Sequence, residues 1–180
     1  MARKKPKGET PDATRPVIQT AHELADVVKQ QLGELWLPIL YQTHIRTRRT
    51  RSIALPVPAR LNQTEILHTL LGIELRVGAK RVACPDLATA RYLAVFARAG
   101  CKEVAVPYDI TQISHLADEL ESAWQRMLLL LGEAAAGRAA GFATRARTLL
   151  AQEVRAGIEL SGSGPAIPQF NQNTKQRRPV

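Results

Sequence analysis

Four arginines within six residues, Arg46, Arg48, Arg49 and Arg51, alternate with the hydroxyls of Thr47 and Thr50 in the segment 44–51. A guanidinium presents several N–H donors in a fixed plane and stays charged at every physiological pH. A run of them therefore suits multidentate contact with phosphate oxygens. Threonine hydroxyls add neutral hydrogen bonds to the same kind of acceptor. Lys80 and Arg81, in an expected hairpin, extend the patch if their strand lies beside the one that follows Arg51. The competing readings are a solvated charge run, or arginines that pair with the acids of a partner protein. No aromatic side chain is interleaved with the arginines, so the segment by itself offers phosphate contact and no base-stacking platform.

The placement of charge supports a polyanionic partner. The chain of 180 residues has a formal net charge of +9. Residues 1–16 hold five basic and two acidic groups, and Lys175, Arg177 and Arg178 add positive charge at the other end. Outside these two segments and the arginine run, the chain is close to neutral. Such arms add non-specific, salt-sensitive attraction to nucleic acid. The expectation is a non-enzymatic nucleic-acid-associated protein, binding DNA or RNA through the phosphate backbone with Arg46, Arg48, Arg49, Arg51, Lys80 and Arg81. Two alternatives stand beside it. One is a homo-oligomer or assembly subunit that binds a protein partner through apolar late helices. The other is an enzyme acting on a small anionic substrate.

The remaining reactive side chains point to ordinary structural roles. Asp86 and Asp109 each follow a strand-ending proline and precede a helix, a position that suits ligand chemistry at a parallel sheet edge but is explained by helix capping. There is no GxGxxG or GxxxxGK[ST] phosphate loop. His22, His44, His68 and His115 form no HxxxH or HExxH pair, and Cys84 and Cys101 lie too far apart in sequence for a CxxC motif. Both cysteines read as small buried hydrophobes. No residue set reads as catalytic, and no cofactor or metal is called for. No apolar run approaches the roughly 18 residues that span a bilayer, so no membrane partner is expected. The start Met1-Ala2-Arg3-Lys4-Lys5 has no apolar stretch behind it, and a reducing, cytoplasmic setting is the expectation.

These side chains need a scaffold, and a repeated phrase suggests one. A short run rich in β-branched residues closes on proline three times, at Pro56, Pro85 and Pro107, and a helix-like pattern follows each. The implied fold class is α/β, a small mixed or parallel sheet of three to four strands with packing helices, plus a long helical C-terminal part. Helix N-termini would then gather along one sheet edge. A hydrophobic content of 45% with only 4% aromatics implies a core of Leu, Val, Ile and Ala.

Along the chain, residues 1–19 read as a flexible basic arm, 20–160 as one domain, and 161–180 as a flexible basic tail. Thr20 with Glu23 signals a capping box, and Pro38 should kink or end the first helix. The arginine run reads as extended chain or turn leading into a strand at Ser52–Leu55. Asn62 with Glu65 signals a second capping box, for a helix through Leu71. Ile73–Val77 alternates like a half-buried strand, with Gly78-Ala79-Lys80 turning it into the second proline-closed run. Asp86 and Gly100 bracket a helix over 87–99. A longer helix follows Asp109, with Gly132 as its break and a last helix over roughly 133–159. The order helix, hairpin, helix, strand between Asn62 and Pro107 resembles restriction-endonuclease-like cores. Their metal-binding acid-x-Lys triplet is missing, since Glu74 is followed by Leu75-Arg76 and the next strand reads Arg81-Val82-Ala83. No nuclease activity is therefore carried over.

Overall fold

Thr20 and Glu23 exchange hydrogen bonds, Glu23 N–H to Thr20 Oγ1 at 3.2 Å and Thr20 N–H to Glu23 Oε2 at 3.3 Å, and open α1 (Ala21–Leu32). This computed structural model describes residues 20–57 and 64–165; the two basic arms otherwise lie outside the described residues. Leu24, Val28 and Leu32 recur every fourth residue and form the buried face of α1. Pro38 neither kinks nor ends that helix. It sits in the first turn of a second, short helix, α2 (Leu37–Leu40), where its missing N–H leaves no bond unmade. Gly157 allows α2 to approach the last helix: a methyl group there would stand 2.7 Å from Pro38 Cβ.

The chain continues from α2 into a π-turn over Tyr41–Ile45, closed by Arg46 N–H on Tyr41 O at 2.9 Å. Of the basic segment only His44 and Ile45 belong to this helical stretch; the arginine run itself is a turn at Arg46–Arg48 and extended from Arg49, as expected. Side chains close the helical end. Thr47 Oγ1 donates to Thr43 O at 2.7 Å and Arg48 Nε to His44 O at 2.6 Å, satisfying carbonyls at the end of this helical stretch. Only from Thr50 is the chain a strand, β1 (Thr50–Ala54).

Four more strands follow: β2 (Thr64–Thr69), β3 (Gly72–Val77), β4 (Lys80–Cys84) and β5 (Glu103–Pro107). The mixed α/β content, packing helices and long C-terminal helix agree with the sequence. The strands, however, form two antiparallel sheets, β1-β5 and the meander β2-β3-β4. In the first, Thr50 faces Pro107 and Ala54 faces Glu103, so Pro56 and Pro107 lie toward opposite ends. The proline-closed phrases do not line up helix N-termini along one edge.

The segment expected to be a helix through Leu71 is instead β2. In the hairpin Ile66 faces Leu75, which is fully buried, and Thr69 closes a turn in which Leu70 and Leu71 stand fully exposed. Cross-strand burial overrides the local helix signal, and the resemblance to restriction-endonuclease-like cores loses its first helix. The hairpin over Gly78-Ala79 forms as expected, with Val77 paired to Lys80.

Three helices complete the chain: α3 (Leu87–Ala99), α4 (Ile113–Ala134) and α5 (Ala140–Ser161). Asp86 Oδ1 accepts the Thr89 N–H at 2.7 Å, and Gly100, at φ 86°, ends α3 in the left-handed conformation. Nine of the 13 residues of α3 are buried, which makes it the central helix, against α4, α5 and the meander. Helix α4 runs through Gly132 to Ala134; the break falls at Gly137, whose φ of 77° a side chain rarely adopts. Of Leu128–Leu131, Leu130 and Leu131 lie in the core, Leu128 packs against it, and only Leu129 is exposed. No helix among the described residues is long and apolar enough to cross a membrane.

The β1-β5 sheet has no third strand, and β5 is buried from Val104 to Pro107, so its outward backbone groups need other partners. Ala105 N–H donates to Tyr41 Oη at 2.8 Å, and Tyr92 OH donates to Ala105 O at 2.7 Å. Tyr41 OH in turn donates to Gly162 O at 2.8 Å. Burial raises the pKa of both phenols, so the hydroxyls stay protonated. On the far side, Ser52 N–H donates to Pro165 O at 2.9 Å, which ties the end of the described chain to β1. Tyr92→Phe leaves one backbone carbonyl unpaired and should cost about 1–3 kcal/mol; Tyr41→Phe, losing two bonds, should cost more. Urea unfolding of both variants checks this, and wild-type stability in Tyr41→Phe would show that the edge needs no hydroxyl.

Candidate functional site

Strand alternation sorts the arginine run into two roles. Thr50 and Ser52 point inward and are buried, so Arg49 and Arg51 share the opposite, outer side. Register then brings in a residue from 57 positions further on in the sequence. Because Pro107 faces Thr50, Tyr108 falls beside Arg49 and donates its N–H to Arg49 O at 3.2 Å. The Arg49 and Arg51 guanidinium carbons lie 5.5 and 6.0 Å from the Tyr108 ring centroid, within cation–π range.

The other candidates separate from this group by function or by place. Arg46 is half-buried and structural: Nε donates to Ser161 O at 3.0 Å and Nη1 to Thr50 Oγ1 at 3.2 Å, clamping the end of α5 to β1. Arg48 is exposed and lies close enough to Asp109 to act on its carboxyl. Lys80 and Arg81 lie on β4, which pairs only with β3, and Arg81 Nη1 is 3.2 Å from Glu74 Oε2. The adjacency that would join them to Arg51 through one sheet is absent.

The described arginines divide by charge environment: Arg76, Arg81, Arg91 and Arg98 each face a carboxylate, and Arg126, Arg145, Arg147 and Arg155 form no ion pair among the described residues. Among the described residues, no carboxylate forms an ion pair with Arg48, Arg49 or Arg51. Arg51 Nε is also shielded from solvent with no acceptor among them. Pro165, the last described residue, is held on Ser52 at this side of the molecule. Thr20, the first described residue, lies elsewhere. Helices α1 and α5 run alongside each other, with Ala21 near Phe142 and Lys29 paired to Glu153, so Thr20 lies near the start of α5. About 33 Å of helix, at 1.5 Å per residue over the 22 residues of α5, separates Thr20 from the end of α5.

Asp86 and Asp109 are both caps. Asp109 Oδ1 accepts the Thr111 N–H at 3.0 Å and the Thr111 hydroxyl at 2.6 Å, and Oδ2 accepts Gln112 Nε2 at 2.8 Å. The Thr111 hydroxyl bond, then its backbone N–H, with help from Gln112 and Arg48, holds the carboxyl below its ordinary pKa. Asp86 follows β4 and Asp109 follows β5, in different sheets, so they do not share one sheet edge. His44 Nδ1 is 2.8 Å from Glu119 Oε1. Among the described residues, no three His, Cys, Asp or Glu side chains gather in a way that would hold a metal ion. A groove of about 620 Å³, lined by Ala21, His22, Phe142, Arg145 and Leu149 among others, includes none of the candidate residues.

Tyr108 is the member of this group that the arginine motif did not contain. Its only sequence signal is its position directly after a strand-ending proline, and that becomes informative once the β1-β5 register is known. No protein-family model, curated protein or solved structure matches the chain.

The two cysteines are free and buried. Burial raises the Cys84 thiol and pushes Cys101 up to about 12, which leaves little thiolate at neutral pH. A thiol-specific reagent at pH 8 should modify neither in the folded protein and both after denaturation. Rapid native labelling of Cys101 would contradict its place in the core.

Proposed function

We propose that this protein binds nucleic acid through its phosphate backbone and acts without catalysing a reaction. The observation that carries the reading is the turn into β1, where Arg49 and Arg51 gather at the Tyr108 ring next to exposed Arg48, with no ion pair to any of the three among the described residues. Like charges held at such spacing repel, and a polyanion relieves that repulsion while accepting their hydrogen bonds. Lys175, Arg177 and Arg178 of the basic C-terminal segment add attraction that weakens with salt. Arg46 supports the interface from inside by fixing Thr50 and the end of α5. Lys80 and Arg81 contribute long-range charge from a separate strand.

Fluorescence anisotropy with labelled DNA and RNA strands across about 50 to 200 mM salt tests the proposal. Replacing Arg48, Arg49 and Arg51 together by Ala should weaken binding about 10- to 100-fold at low salt. It should also flatten the plot of log K against log salt by about two to three units, one counterion for each lost phosphate contact. Replacing Lys80 and Arg81 should change affinity less than threefold on the same reasoning, because Arg81 is already neutralised by Glu74. Weak binding by the wild type at low salt, or binding indifferent to the three arginines, overturns the reading.

A further inference from the structure

Resting on that reading, the geometry points to a single-stranded ligand, with an unpaired base stacked on Tyr108 and its neighbouring phosphates held by Arg49 and Arg51. The chain has eight aromatic residues, two Trp, three Tyr and three Phe. Trp36, Tyr41, Tyr92, Phe96 and Trp124 are all buried. Among the described residues Tyr108, 48% exposed, is the one aromatic ring that presents a large free surface. The next apolar side chain along, Ile110, is 61% exposed and leaves this corner apolar as well as basic.

A single exposed ring is ordinary on a protein surface, and this one is set apart by how it is placed. Here it is held in place at two points. Pro107 ends the strand immediately before it, and its own N–H is tied to Arg49 O at 3.2 Å. Two guanidinium carbons lie 5.5 and 6.0 Å from its centroid, over the ring. An aromatic surface beside two cations is the combination that holds single strands: a base stacks on the ring, and the guanidinium groups turn to the backbone phosphates. In a duplex the bases are already stacked on one another, so the ring has nothing to receive and only the arginines engage. One ring accepts one base and reads no hydrogen-bonding edge, so the site is tolerant of sequence.

The test compares four ligands of equal length on the full chain: a DNA strand, an RNA strand of the same sequence, the corresponding duplex, and an abasic strand with phosphates alone. Wild type should bind the base-bearing strands about tenfold more tightly than the abasic strand, the scale of one stacked base. Tyr108→Ala should remove that difference and leave abasic and duplex binding within about twofold. Tyr108→Phe should retain it, since the ring remains; this variant also controls for folding, together with thermal unfolding of both. Equal weakening of all four ligands by Tyr108→Ala would overturn the stacking inference, because the ring would then act only by positioning the arginines. Loss of any dependence on Arg48, Arg49 and Arg51 would instead overturn the underlying phosphate-binding reading. A preference for the RNA over the DNA strand, or the reverse, supports the inference if Tyr108→Ala abolishes base-dependent binding to the preferred strand and contradicts it if that binding persists.

Discussion

A two-stranded sheet has an unpaired edge on each side, and at its buried edge, on β5, Ala105 is where this chain satisfies it. Its N–H and C=O face away from β1 and are taken by the hydroxyls of Tyr41 and Tyr92. Leaving either group unpaired in the interior would cost more than an ordinary hydrogen bond contributes. The two tyrosines come from the π-turn and from α3, and Tyr41 also reaches Gly162 at the end of α5. One strand residue therefore locates three separate parts of the chain. The ring contacts of Tyr41 and Tyr92 with Phe96, at centroid distances of 5.6 and 5.1 Å, fill the space around those bonds.

The same constraint sets the exposed side. With β5 held by Ala105, its register against β1 is determined, and Tyr108 emerges opposite Arg49. Thr50 and Ser52 turn inward, Thr50 to Arg46 and Ser52 to Glu103, so their neighbours turn out. The alternation of arginine with small hydroxyl residues is thus a strand pattern in its second half. Arg46, which resembles its neighbours in sequence, falls on the helical side of the boundary and serves the scaffold instead. Arg91 is neutralised locally by Asp118 and Glu121, whereas Arg49 and Arg51 have the Tyr108 ring beside them and no ion-paired carboxylate among the described residues.

What the sequence made legible was whatever is decided within about four residues. The box of Thr20 and Glu23, the Asp86 cap, the Gly100 stop and the turn at Gly78-Ala79 all formed where expected, because each rests on local hydrogen bonds or backbone sterics. The failures were non-local. Glu65–Leu71 has a respectable helix signal, yet Ile66 gains more by facing Leu75 across a hairpin. Strand partners were likewise hidden: three similar proline-closed runs suggested one sheet, whereas two of them pair with each other antiparallel and the third belongs to a meander. Half of the candidate site followed the same divide. The arginines were visible as a run, while Tyr108 depends on a register between segments more than fifty residues apart, which no local pattern encodes.

The most direct test of the whole account follows individual side chains during binding. In an NMR titration of the full chain with a short single-stranded oligonucleotide, the Nε–Hε signals of Arg48, Arg49 and Arg51 and the ring signals of Tyr108 should shift together. They should follow one binding curve, while Arg76, Arg81 and Arg91 stay unmoved. Shifts centred on Phe142 and Arg145 at the groove, or small shifts spread evenly over all arginines, would contradict it.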